Sequence, residues 1–261
     1  MTKNKFVHLN RKAHRYLGFI IGIQFLFWTI GGMYFAFSDI DEIHGDHQRK
    51  HVMLKNYDSI VSPSIVLNHI KEIHGIDSLE SLKLISILDK PVYQVIYHHK
   101  HMGHMLMIQL ADATTGELLP PLTQEQGVAL AQQHFNTKAP IKSVQFLDEV
   151  NEHHEYRKKP LPAWAITFDH VSNTTVYVAS NLGTVESFRN SKWRIFDFLW
   201  MLHTMDYENR DNFGNLLLRA FSIFGLATIT SGFILFFSTR KKLSKKGISK
   251  KQFFFMDSVK K

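Results

Sequence analysis

Two uncharged apolar stretches constrain this chain more than anything else in it. "YLGFIIGIQFLFWTIGGMYFAF" occupies residues 16–37, and "AFSIFGLATITSGFILFF" occupies residues 220–237, with Leu216–Leu218 just ahead of Arg219. At a helical rise of about 1.5 Å per residue, each is long enough to cross a hydrocarbon core of roughly 30 Å. Two such runs at opposite ends of the sequence predict two transmembrane helices, over 16–38 and 215–238. The first run exceeds the apolar core of a cleaved signal peptide, and no A-x-A-like site follows it, so it reads as an uncleaved anchor.

Charge sets the expected topology. Residues 1–15 carry Lys3, Lys5, Arg11, Lys12 and Arg15 and no acid, and residues 239–261 form a lysine-rich tail. The two ends hold fourteen of the 31 Lys and Arg but one of the 23 Asp and Glu, which leaves residues 16–237 at about −5. By the positive-inside rule both termini are expected in the cytoplasm and the central region outside. The overall +8 is thus a topology signal, and no nucleic-acid partner is expected. Cysteine is absent, so the outer region must hold together without disulfides.

A repeated pattern fills the region between the runs. Residues 39–61 connect the first helix to a unit over 62–122, which opens with Ser62-Pro63-Ser64, an N-cap followed by proline in the first turn. The helix "IVLNHIKEIHG" stops at Gly75, and strand-like runs follow at 82–88, 92–97 and 105–110. A turn around Gly116 and a short last strand close the unit. The second unit, 123–190, opens with Thr123 and Gln126 as a capping box, then the helix "GVALAQQHF". Strands are expected at 141–147, 163–168, 174–180 and 181–188. The shared order, one helix then four strands, predicts two antiparallel sheets, each with a helix across one face. "WRIFDFLWMLHTMDY" then predicts an interfacial amphipathic helix and loop over 191–214, rich in Trp and Tyr.

The unit ending in Asp112, Thr115, Gly116 and Glu117 (D-x-x-T-G-E) resembles the PepSY domain, a cystatin-like α+β module. "RKAHRYLGFIIG", with His14, Arg15, Leu17 and Gly18, resembles the first-helix start of the PepSY-associated transmembrane family. "WRIFDFLWMLHTMDY" with "ITSGFILFF" resembles that family's closing section. The resemblance spans nearly the whole chain and includes the iron-regulated membrane protein type. It implies a membrane α+β fold: two transmembrane helices flanking an extracytoplasmic tandem of PepSY-like units in a bacterial inner membrane. Larger relatives carry about four spans and are linked to iron uptake, some as haem-bearing reductases of ferric siderophores.

That resemblance makes haem b the candidate cofactor and His203 the first candidate ligand. His14 and His203 lie at opposite ends of a membrane span, roughly 30 Å apart, so they are not expected to share one iron. An outer-side haem would pair His203 with His44 or His47, or with His203 of a second copy; His14, among Arg11, Lys12 and Arg15, is otherwise a headgroup contact. The alternative for His203 is an aromatic-belt position.

The spans carry small residues. Gly18, Gly22, Gly225 and Gly232 form surfaces suited to close helix packing, between the two spans or against another membrane protein. No charged residue sits in mid-membrane, which argues against an ion carrier. No H-E-x-x-H, G-x-S-x-G or phosphate-binding glycine loop is present, and nothing pairs a nucleophile with a base. "YHHKHMGHMLM" (97–107) gathers four histidines and three methionines, and His98, His101 and His104 are candidate metal ligands. The other reading of this stretch is a solvated, edge-protecting hairpin.

Taken together, the sequence predicts a non-catalytic accessory or binding subunit, tied to iron or siderophore uptake or to a membrane redox complex. A haem-binding ferric-siderophore reductase component and a regulator of an extracytoplasmic peptidase are the alternatives. The expected partners are the bilayer, another membrane protein or a second copy, and an extracytoplasmic protein or peptide at the edge strands.

Overall fold

A computed structural model describes residues 3–100 and 105–239. Its elements, in order, are α1 (Lys3–Phe37), α2 (Ile40–His44), α3 (Pro63–Ile73), β1 (Ile76–Ile87), β2 (Lys90–His99), β3 (Leu106–Asp112) and β4 (Leu118–Leu119). Then follow α4 (Gln124–His134), β5 (Ile141–Leu147), β6 (Ala163–Phe168), β7 (Thr175–Ala179), β8 (Thr184–Arg189), α5 (Ser191–Thr204) and α6 (Leu216–Thr239). The chain divides into two compact units. One holds the residues up to Trp28 and those from Phe213 onward, and the other is Thr29–Asn212.

Among the described residues, two helices are long and apolar enough to cross a membrane, α1 and α6, and the first unit holds α6 and most of α1. Each covers only a narrow stripe of itself. On α1 the covered residues include Asn10, His14, Leu17, Ile21, Gln24 and Trp28; on α6 they include Leu218, Phe221, Gly225, Thr228 and Leu235. Steps of three and four residues keep such a stripe on one side of a helix. The rest is exposed and apolar, with Phe19 at 72% and Leu226 at 68% of full exposure. Helix α1 also begins well ahead of the apolar run, because "KNKFVHLNRKAHRY" contains no glycine or proline to stop it.

The second unit contains two four-stranded antiparallel meanders, β1-β2-β3-β4 and β5-β6-β7-β8. Helix α3 starts where the sequence predicts, with the Ser62 side chain accepting from the Ser64 amide. It buries Val66 and Ile70 against Tyr93, Val95, Tyr97 and Ala111 of the first sheet. Helix α4 is held by the full capping box: Gln126 N donates to Thr123 Oγ1, and Thr123 N donates to Gln126 Oε1. Its Leu130 and Ala131, with Phe135 just beyond, pack on Ile166, Phe168, Val176, Val178 and Phe188.

The same core runs on into the first sheet through Ile87, Val92 and Leu110. The β7–β8 turn makes the join, where Gln94 Nε2 donates to the Leu182 carbonyl at 2.7 Å. Gly183, at φ +66°, lies so close that a Cβ there would sit 2.3 Å from Ile87 Cδ1.

Two features differ from expectation. Strand β1 begins at Ile76 rather than 82, because the long C-terminal half of β2 gives "IDSLES" a partner despite its polarity. Irregular register at Ile76/Ser78 and Leu79/Ser81 explains why that segment shows no alternation. The β2–β3 hairpin lies at an edge on one side only: β1 pairs along β2, whereas β4 reaches β3 only at Leu110 and Ala111, which leaves the hairpin end of β3 open on its outer side.

Candidate functional site

The densest polar chemistry among the described residues lies where the 151–160 loop meets β7, β8 and α5. Asn190 caps α5 by accepting from Trp193 N at 2.8 Å, which aims the first turns of the helix at this loop. Glu155 accepts from Arg194 Nε and Nη2 at 2.7 and 2.9 Å, and from the Tyr177 hydroxyl at 2.7 Å. Arg189 Nε donates to the Glu155 carbonyl at 3.0 Å, while its guanidinium lies 4.0 Å above the Trp193 ring. Asp197, with a side chain only 6% exposed, takes Arg157 at 2.8 Å and also Arg210. Two carboxylates thus serve three guanidiniums, and the fourth, Arg189, bonds a backbone carbonyl.

The electrostatics follow from burial and this imbalance. Burial pulls the Arg189 guanidinium down to about 10, with Arg157 and Arg194 adding to the effect and Glu155 opposing it. Burial also raises the phenols of Tyr156 and Tyr177, and for Tyr177 the adjacent Glu155 raises it further. A pocket of about 350 Å3 opens beside the network, lined by His153, His154, Arg194, Asp197, Phe198 and Arg210. Both carboxylates are engaged by arginine, so this is an ion-paired clamp on α5 and not an acid–base pair. Sequence reasoning passed over it because its members come from four separated segments with no common spacing.

His203 lies near the end of α5. Its ring stacks on Trp200 at 6.2 Å and 15°, and meets Phe35 edge-on at 6.1 Å. His44 and His47 belong to the other end of that helix. Asn190 Nδ2 donates to the Glu42 carbonyl, Lys192 pairs with Glu42, and Asn136 bonds the His47 carbonyl. The helix from Asn190 to His203 covers roughly 20 Å. The expected pairing of His203 with His44 or His47 is therefore not assembled within one chain.

His14 makes contacts that neither expectation included. Its Nδ1 lies 2.7 Å from Ser231 Oγ, and Asn10 Nδ2 donates to the Ser231 carbonyl at 3.1 Å. The imidazole lies over Gly232, where an added Cβ would approach its Cε1 to 3.2 Å. His14 is thus a polar clamp between α1 and α6. Within one protomer, none of the candidate histidine pairs, His203 with His44, His47 or His14, is brought onto one iron.

The small residues divide as well. Gly232 and Gly225 face α1 at His14 and Phe25, whereas nothing lies within 4 Å of a Cβ placed on Gly18 or Gly22. The α1 pair therefore does not form the contact with α6.

Of the three metal-ligand candidates, His101 and His104 lie outside the described residues. His98 does not point towards the α3 side of the sheet; its Nε2 lies 3.5 Å from Glu80 Oε2. Among the described residues, no three or more His, Cys, Asp and Glu side chains form a group able to hold a metal ion.

No protein-family model, no curated protein and no solved structure matches the chain.

Proposed function

We propose that this chain is a two-span membrane protein of the PepSY-associated type, acting as a non-catalytic accessory or binding subunit in an iron-linked or redox membrane complex. Both termini are cytoplasmic in this reading, and the two helix-plus-sheet modules are PepSY-like units outside the membrane. The observation that carries it is the burial pattern of α1 and α6. Each helix covers one stripe and leaves phenylalanine, leucine and isoleucine exposed around the rest. An exposed apolar surface of that extent needs lipid or further helices to cover it. Gly18 and Gly22, with open space above them, suit a second membrane helix.

The modules support binding rather than catalysis. Strand β1 is a twelve-residue edge paired on one side with β2, and such an edge can accept a partner's extended segment as an added strand. The native chain lacks cysteine, so topology is directly testable. In intact spheroplasts, Glu152→Cys is expected to react with a membrane-impermeant maleimide and Lys5→Cys only after lysis. Recovery of the chain in the soluble fraction, or the reverse labelling, would sink the proposal. Purified from haem-supplied cells, the protein is expected to show no Soret band.

A further inference from the structure

The β2–β3 hairpin and the end of α3 bring together three metal-binding side chains that no sequence spacing connects. Helix α3 is capped by His74, whose amide still bonds the Ile70 carbonyl at 2.8 Å. Gly75, at φ +74°, reverses the chain into β1. Ile76 then pairs with His99, and Lys100 N donates to the Gly75 carbonyl at 3.2 Å. The backbone thus ties the last residue of β2 to the end of α3. As a result the His74 and His99 rings lie 6.5 Å apart, centroid to centroid, at 54°.

That spacing has chemical meaning. With metal–nitrogen bonds of about 2.0–2.1 Å, one ion shared by two imidazoles sets their centroids about 5 Å apart at a tetrahedral angle and about 6.4 Å when linear. The observed 6.5 Å lies just beyond the linear end of that range, so the two rings must turn towards each other to share an ion. A third ligand type follows from the sheet register. Tyr97 pairs with Met107 and His98 with Leu106, and His99 N donates to the Met105 carbonyl at 2.9 Å. Met105 therefore lies directly across from His99, and residues so paired share one face of a sheet with Cβ atoms about 5 Å apart. That face is the one covered by α3, since Met107, Tyr97 and Tyr93 on it pack with Val66 and Ile70. Met105 is 57% exposed at its rim. His98 projects to the opposite face, towards Glu80.

We propose that His74, His99 and Met105 bind copper(I). Imidazole accepts several first-row metals, but a thioether is a soft ligand that selects copper(I) over zinc, and copper(I) accepts two or three ligands in open geometries. The site sits at the tip of the first module, rests on three described residues and does not depend on the membrane topology.

The test uses the full chain in detergent, with copper(I) supplied under anaerobic reductant and competed by a chromogenic chelator. One equivalent of copper is expected. His74→Ala and His99→Ala should each weaken it by about tenfold or more, and His98→Ala should leave it unchanged. Met105→Leu is expected to weaken copper(I) while leaving zinc affinity, measured in parallel, within about twofold of wild type. His74→Gln and His99→Gln, with melting temperatures unchanged, guard against a folding artefact. The proposal falls if the wild type takes no copper from the chelator. It falls equally if His74→Ala binds as well as wild type, if binding follows His98, or if a His101→Ala/His104→Ala variant loses it while His74 and His99 variants keep it.

Discussion

The two modules share one plan, a capped helix followed by a four-stranded meander, and differ in what surrounds it. In the first, the helix and sheet enclose a core of their own, and charged groups stay at the rim, as in the exposed Lys55–Asp89 pair at 3.0 Å. In the second, the core reaches out to the first sheet, and the opposite end of the sheet carries the Glu155 and Asp197 network that grips α5. The plan satisfies the backbone in both, whereas side chains beyond the plan decide what each module holds. The first is free to present ligands at its hairpin. The second is committed to anchoring α5.

The largest expected effect breaks that commitment. Asp197→Ala leaves the Arg157 and Arg210 guanidiniums buried without their carboxylate, and should cost about 3–5 kcal/mol in denaturant unfolding of the detergent-solubilised chain. Lys55→Ala, at the exposed pair of the first module, should stay within about 0.5 kcal/mol of wild type. Equal costs would mean that the two charge sites are not the different kinds of structure described above.

Next in size come the corresponding turn glycines. Gly183→Ala forces a Cβ against Ile87 at a positive φ, and about 2–3 kcal/mol is expected. Gly116→Ala, at φ +80°, meets Ile65 Cγ2 at 3.1 Å, and about 1–2 kcal/mol is expected. A larger cost at Gly116 would show that the modules do not depend on the β7–β8 turn to share a core.

The caps sharpen the comparison at its small end. Thr123→Ala removes one half of a reciprocal box and should cost about 1 kcal/mol, whereas Ser62→Ala removes a long 3.4 Å bond from the Ser64 amide and an exposed 2.8 Å contact with its hydroxyl, and should cost about half as much. Thermal melts of the two variants side by side check the order.

Much of this frame was legible in the sequence. The two long apolar helices, both module-helix starts and the succession of strands follow from local patterns, namely apolar length, a capping residue at its offset, and alternation between turns. Strand β1 before residue 82 was not legible, because its polar residues become strand only through pairing with β2. The contacts of His14 were not legible for a related reason. Its basic neighbours mark the start of an apolar run, but Ser231 and Gly232, more than two hundred residues away, decide where its ring goes.

The histidine-rich stretch marks the boundary between the two kinds of information. The sequence by itself determined that four histidines and three methionines lie within residues 97–107, and strand alternation already sends His98 and His99 to opposite faces. Only the tertiary structure decided that His99 and Met105 share a face with His74, a residue from a different element. The physical reason is register. Periodicity along one segment assigns a side chain to a face, but which residue of another segment meets it depends on where that chain turns and how the strands align.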